Sequence, residues 1–187
     1  MGAGSGFTPN LMRDLMQIPD LDGGDVVLVD IDAKRLTIMT KLIQTLAAHM
    51  KTTRGVKWNV SGTTDRKKAL PGASYVINSI EVSGVPCVRH DNDIPLKYGV
   101  DQCVGDTLAP GGILYGQRNI PCILDFCRDI REVASGDCLF LNYANPNAMN
   151  TWAAIEYGKV NTVGLCHGVM GSTNEIGEVL GAKDVKK

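Results

Sequence analysis

Short apolar runs rich in β-branched residues alternate along this chain with segments whose apolar positions recur at helical spacing, and this alternation restricts the fold more than any other feature. Residues 25–31 (DVVLVDI) form the kind of run that makes a strand buried on both faces. Residues 33–50 carry Leu36, Met39, Thr40, Ile43, Leu46 and Ala47 at i, i+3, i+4 spacing and read as an amphipathic helix. The pattern predicts further strands at 56–61, 74–80, 138–143 and 160–165, and helices at 11–18, 113–133 and 148–157, the second of these kinked or broken at Pro121. An order αβαβ(α)βαβαβ predicts an α/β fold: a Rossmann-like, doubly wound, mainly parallel sheet. Residues 81–112, rich in Gly and Pro and without clear periodicity, are too long for a plain connection; such a stretch is functional or partly helical, and it is expected to hold a lid or site loop.

Composition narrows the class of partner. The chain has 187 residues and is 44% hydrophobic and 21% charged, enough for a core without disulfides or a structural metal. Nineteen basic against twenty acidic residues argue against a nucleic-acid footprint or a polybasic membrane patch and leave a small molecule as the expected partner. Six dispersed cysteines without a CxxC pair, and a start without a basic-then-apolar leader, point to a reducing, cytoplasmic setting. No apolar run reaches the ~20 residues of a membrane span.

Gly2-Ala3-Gly4-Ser5-Gly6-Phe7 follows GxGxxG except at Phe7. The pattern serves a tight turn, close approach of a pyrophosphate at the second Gly, and a helix N-terminus aimed at phosphate. A plain surface turn accounts for the same residues. Asp30, at the end of the next strand, offers a carboxylate that accepts ribose hydroxyls and repels a 2′-phosphate, which favours NAD over NADP. It equally serves as a helix cap, a role to which Asp32 lies closer. A dinucleotide fold opens with a strand leading into its glycine turn. With glycines at positions 2 and 4, the sheet is expected to lack that first strand and to leave its neighbours' inner edges unpaired.

The segments GAGSGF (2–7), DIDAKRL (30–36), DIPLKYGVDQCVGDTLAPGG (93–112), NYANPNAMN (142–150) and VGLCHGVMG (163–171), in this order, resemble glycoside hydrolase family 4. The likeness is nearest to the branch of α-galactosidases and α-glucosidases acting on unphosphorylated sugars. The resemblance implies a Rossmann domain over 1–165 that binds NAD, and the start of a second, metal- and substrate-binding domain over 166–187. It also implies manganese or another divalent ion, and hydrolysis of a small α-glycoside by oxidation at carbon 3, elimination, water addition and reduction. Family members associate as dimers or tetramers, so a homo-oligomer is implied at full length.

Residue by residue, the resemblance assigns Gly2, Gly4, Ser5 and Phe7 to the cofactor loop and Asp30 to the acid after the second strand. Asn78 and Ser79 fall where backbone and side chains pass the cofactor, Asp106 near the sugar, and Asn145 beside metal and sugar hydroxyls. Cys166 matches the thiolate metal ligand and His167 the position tied to leaving-group protonation, where relatives for phosphorylated sugars carry Asp or Asn. Cys166 and His167 also follow an apolar strand at the carboxyl end of the sheet, where such folds bind ligands. As neighbours in extended chain they point to opposite sides. A plainer account makes Cys166 a small buried hydrophobe at a strand end, and Asn145-Pro146 an ordinary strand-end turn.

Ala109 for Gly, Asn147 for Met and Met170 for a polar residue depart from the family pattern, as does the tail over 177–187. The family's remaining metal-binding His and its proton-abstracting Tyr find no match here, so little or no turnover is expected of this chain alone. A non-catalytic NAD-binding remnant and a 2-hydroxy acid dehydrogenase are the alternatives. The latter needs a catalytic His with a substrate-clamping Arg, and neither His90 nor His167 sits in such a motif. The other five cysteines read as core or incidental thiols, His49 as a helix-end dipole partner, His90 as a loop residue, and Lys51, Arg54 and Lys57 as a solvated face.

Overall fold

The computed structural model of the chain describes residues 1–182. Residues 183–187, the end of the tail that departs from the family pattern, lie outside the described residues. In chain order the elements are α1 (Thr8–Met16), β1 (Gly23–Val29), α2 (Ala33–Arg54), β2 (Lys57–Thr63), α3 (Arg66–Ala69) and β3 (Tyr75–Asn78). There follow α4 (Gly84–Leu96), α5 (Pro110–Val133), β4 (Leu139–Asn142), α6 (Asn147–Glu156), β5 (Thr162–Gly164) and α7 (His167–Val179). All strand pairs are parallel, with β1 beside β2 and β3-β4-β5 forming a second group. The α/β, parallel-sheet expectation therefore holds.

The expected missing strand is visible as a gap between β1 and β3. Residues 1–3 fill only its carboxyl end. There the Ala3 N–H donates to Val29 O (2.9 Å), the Met1 nitrogen to Ile77 O (2.8 Å), and the Ser79 N–H to Met1 O (3.1 Å). Farther along the gap, side chains that a central parallel strand would bury on both faces are open: Val27 is 39% and Tyr75 69% exposed. Each half-sheet keeps its own apolar core. Leu28, Leu36, Ile43, Ala47 and Met50 pack with Met12 and Met16 on one side, and Val76, Phe140, Ile123, Cys127 and Ala154 pack on the other.

Caps explain most helix boundaries. Asp32 accepts from the N–H groups of Lys34 and Arg35 (2.9 and 3.1 Å) and so takes the N-cap role at α2, which ends where Gly55 turns to φ +72°. Arg54 is not part of a solvated face. Its guanidinium donates to Met16 O (2.5 Å) and Ile18 O (3.2 Å), closing the C-terminus of α1. Asp129, fully buried on α5, holds Arg66 and Lys67 of α3.

The stretch 81–112 is partly helical, with α4 over Gly84–Leu96: Pro86 sits in the first turn, where a missing N–H costs nothing, and Pro95 in the last. Three expectations need correction. His90 lies on this helix and not in a loop. Helix α5 continues through Pro121, because Pro121 and Gln117 are both exposed and water can take the freed carbonyl. His49 is exposed more than a turn before the end of α2, too far in to serve the helix terminus. Helix α3 takes the place of the bracketed helix between the second and third strands of the predicted order, whereas α7 lay outside it.

All six cysteines are free. No described helix is long and apolar enough to cross a membrane.

Candidate active site

The carboxyl ends of β1, β3, β4 and β5 open onto one edge of the molecule, and the glycine turn enters that edge through the gap. Gly2 adopts φ +73°, and a Cβ there would stand 2.8 Å from Ser79 O. The Gly4 N–H donates to Asp30 Oδ2 (2.7 Å), and a Cβ on Gly4 would lie 2.9 Å from both that oxygen and Arg35 Cβ. Asp30 Oδ1 accepts from the Asp32 N–H (2.8 Å), and Ser79 Oγ donates to Gly2 O (3.2 Å). Gly2, Gly4, Asp30 and Ser79 thus converge.

Ser5 Oγ accepts from the Phe7 N–H (3.2 Å), and Phe7, 61% exposed, precedes α1 without a side-chain cap. The Thr8 N–H donates to Ser5 O (3.1 Å) and Pro9 has no N–H, so in the first turn of α1 it is the Asn10 N–H that is left to a ligand or to water. Asn78 is directed elsewhere. Its buried amide donates to Asn142 Oδ1 (2.9 Å), and only its neighbour Ser79 touches the turn.

Next to the turn, a set of asparagines shapes the loop after β4. Asn142 donates to Ala144 O (3.1 Å) and accepts from the Ala144 N–H (3.2 Å), while Asn150 donates to the same Ala144 O (3.2 Å). Asn119 of α5 donates to Asn145 O (2.9 Å), ahead of the cis Asn145–Pro146 bond. So held, Asn145 donates from Nδ2 to Asp106 Oδ2 at 2.6 Å, uniting the two residues expected at the sugar. The loop bearing Asp106 is itself braced. Gln102 donates to Asp91 O and accepts from the Gly111 N–H, both at 2.9 Å, and Arg118 grips the Asp91 carboxylate. Tyr115 donates its hydroxyl to Glu81, and burial first, then that carboxylate, pushes its pKa well above the usual phenol range. Sequence reasoning missed Asn119, Asn142, Asn150 and the Tyr115–Glu81 pair. The one available signal was the recurrence of Asn at 142, 145, 147 and 150.

Cys166 caps α7 in extended conformation (φ −140°), and His167 is the helix's first residue. Both are exposed, so the account of Cys166 as a buried small hydrophobe does not hold. Neither side chain is hydrogen-bonded to Asp106 or Asn145. Among the described residues no three His, Cys, Asp or Glu side chains gather as a metal-binding group. Cys166 and His167 offer a thiol and an imidazole, which is part of a cation's donor set and not a complete one. The glycine turn, by contrast, is closely seated, with Gly2 against Ser79 and Gly4 against Asp30.

A model of the Family 4 glycosyl hydrolases matches residues 1–182. An alpha-galactosidase of Rhizobium meliloti (strain 1021) is 55% identical over 186 residues, covering 98% of this chain and 37% of that protein. An alpha-galactosidase of Bacillus subtilis (strain 168) is 37% identical over 183 residues, covering 97% of this chain and 41% of that one. The 6-phospho-beta glucosidase of Thermotoga maritima, solved with manganese, NAD+ and glucose-6-phosphate, superposes with a TM-score of 0.79 at 25% identity. That match covers 97% of this chain and 42% of the other. The chain thus spans between 37% and 42% of the length of these relatives.

Proposed function

Since the chain belongs to family 4 of the glycosyl hydrolases, we propose that it forms the NAD-binding part of an enzyme that hydrolyses unphosphorylated α-glycosides, of the α-galactosidase or α-glucosidase type. NAD⁺ held by the glycine turn would supply reversible hydride chemistry toward carbon 3 of the sugar, and a divalent ion such as Mn²⁺ would supply Lewis acidity. The Cys166 thiol is this chain's contribution to that ion, and further donors must join it.

The chain's own residues divide the remaining tasks. Gly2 and Gly4 let the backbone approach a pyrophosphate, and the uncapped start of α1 favours its charge. Asp30 has given one lone pair of each oxygen to a backbone N–H, and the others remain for two ribose hydroxyls. Its charge opposes a 2′-phosphate. Asp106 and Asn145 hold sugar hydroxyls. Their mutual bond fixes the Asn145 amide, so that its oxygen meets the sugar in a set direction. His167, exposed on the same edge, protonates the leaving oxygen, a task suited to an imidazole near neutral pH.

The observation that carries this reading is the seating of the glycine turn, Gly4 on the Asp30 carboxylate and Gly2 against Ser79; the Asp106–Asn145 pair supports it separately. The 55% identity to an alpha-galactosidase and the His at 167 favour the unphosphorylated substrate. Cofactor binding without turnover is a second reading, favoured by the incomplete metal donor set among the described residues. The dehydrogenase alternative gives way to the family match.

Titration of NAD⁺ against the chain, followed by calorimetry, tests the proposal. Micromolar binding is expected, weaker for NADP⁺. Asp30→Asn should weaken NAD⁺ about tenfold, or about 1.4 kcal/mol, and narrow its advantage over NADP⁺. Absence of binding, or an Asp30→Asn variant that binds both nucleotides as before, overturns it.

A further inference from the structure

We propose that Asn147 is a positioning residue whose side-chain amide clamps the turn presenting Cys166 and His167 at the edge of the sheet. The catalytic meaning of the clamp rests on the roles given above to Cys166 and His167; the clamp itself rests on geometry alone.

Asn147 opens α6. From there Nδ2 donates to Asn142 O at the end of β4 (3.0 Å) and to Leu165 O just past β5 (3.1 Å). The Leu165 N–H donates to the same Asn142 O (2.9 Å). Leu165 is therefore held by both its backbone N–H and its carbonyl. That carbonyl shares a rigid plane with the Cys166 nitrogen and Cα, so fixing it fixes where the Cys166 Cα stands and leaves φ, here −140°, as the one backbone torsion that aims the side chain. His167, the next residue, inherits the constraint as the first residue of α7.

Two further observations converge on the clamp. The space it fills exists because position 164 is glycine: a Cβ there would stand 2.5 Å from Thr151 Oγ1 and closer still to Asn147 Oδ1. Thr151 Oγ1 in turn donates to Asn147 Oδ1 (3.4 Å), steadying the amide from its other end. A methionine at 147, the residue of the family pattern, has no N–H to offer. Leu165 O would then lose this partner and the turn would be set by β4 alone. The departure at 147 thus supplies a two-carbonyl bridge directly behind Cys166 and His167.

Iodoacetamide alkylation, resolved cysteine by cysteine by mass spectrometry, tests this in the 187-residue chain. Cys103, also exposed but on the loop after α4, is the internal control. Asn147→Asp keeps the shape and removes both donors; it should change the Cys166 rate about threefold or more while Cys103 keeps its own. Gly164→Ala displaces the amide without altering it and should reproduce that change. In an Asn147→Ala background, Gly164→Ala should add little, because the two substitutions break one interaction. An unaltered Cys166 rate in Asn147→Asp overturns the proposal, and so does a parallel rise at Cys103, which marks general loosening. Protection of Cys166 by Mn²⁺ in the unaltered chain is a separate measurement. Its absence removes the metal-ligand role of Cys166 and leaves the clamp standing.

Discussion

At Gly4 a single missing carbon decides whether the turn can keep both its shape and its acid. A methyl added there would press on Asp30 Oδ2 and Arg35 Cβ, each 2.9 Å away, whereas Gly6, two positions on, has nothing within 4 Å of the same carbon. Gly4→Ala should therefore lower stability by about 1–3 kcal/mol and weaken NAD⁺ at least about tenfold, while Gly6→Ala leaves both unchanged. Thermal denaturation and NAD⁺ titration of the two variants check this. Equal effects would remove the close approach as the cause. These glycines and Asp30 were legible in the sequence because each does a backbone or charge task that few residue types can do. Asn119, Asn142 and Asn150 were not. Asparagine marks turns so generally that nothing distinguishes a solvated one from one packed in the interior with its amide bonded to a carbonyl. Ala109 is a departure from the family pattern that the structure absorbs: it precedes α5 with φ −72° and ψ 172°, a conformation open to any residue.

Among the elements, α1 depends on a residue far from it in sequence. Arg54 reaches back to Met16 O and Ile18 O, so Arg54→Ala should lower stability by about 1–2 kcal/mol. Lys51→Ala, one turn earlier and exposed, should do almost nothing. Urea unfolding midpoints of the two variants make the comparison. Strands β1 to β5 and helices α2, α5 and α6 were readable because burial on one or both faces imposes a period on their residues. Helix α4 was not, since two prolines and a glycine interrupt its pattern without interrupting its hydrogen bonds, the prolines falling near its ends. Helix α7 escaped for another reason. Val169, Met170, Ile176, Val179 and Leu180 are all exposed, so its apolar residues record no packing within the described chain.

For the 187-residue chain taken whole, the part-buried α-amino group of Met1 couples stability to pH. Burial lowers its pKa from 8.0 to about 6, partly opposed by the Asp30 carboxylate. Between these values the unfolded chain holds a proton that the folded chain does not. Stability therefore falls as pH drops from 8 to 6, by on the order of 2 kcal/mol. Urea midpoints measured across that window should show the loss, and acetylating the amino terminus should flatten it. A slope that survives acetylation assigns the effect to other groups. The amine lies where it does because residues 1–3 bridge the strand ends of two half-sheets that each fold around their own core. On the function proposed above, a nucleotide resting on the glycine turn would reach Asp30 on one half and Ser79 on the other. Such a ligand acts as a rivet across a seam: capturing it and aligning the two halves become one event, and the cofactor is as much a part of the scaffold as of the chemistry.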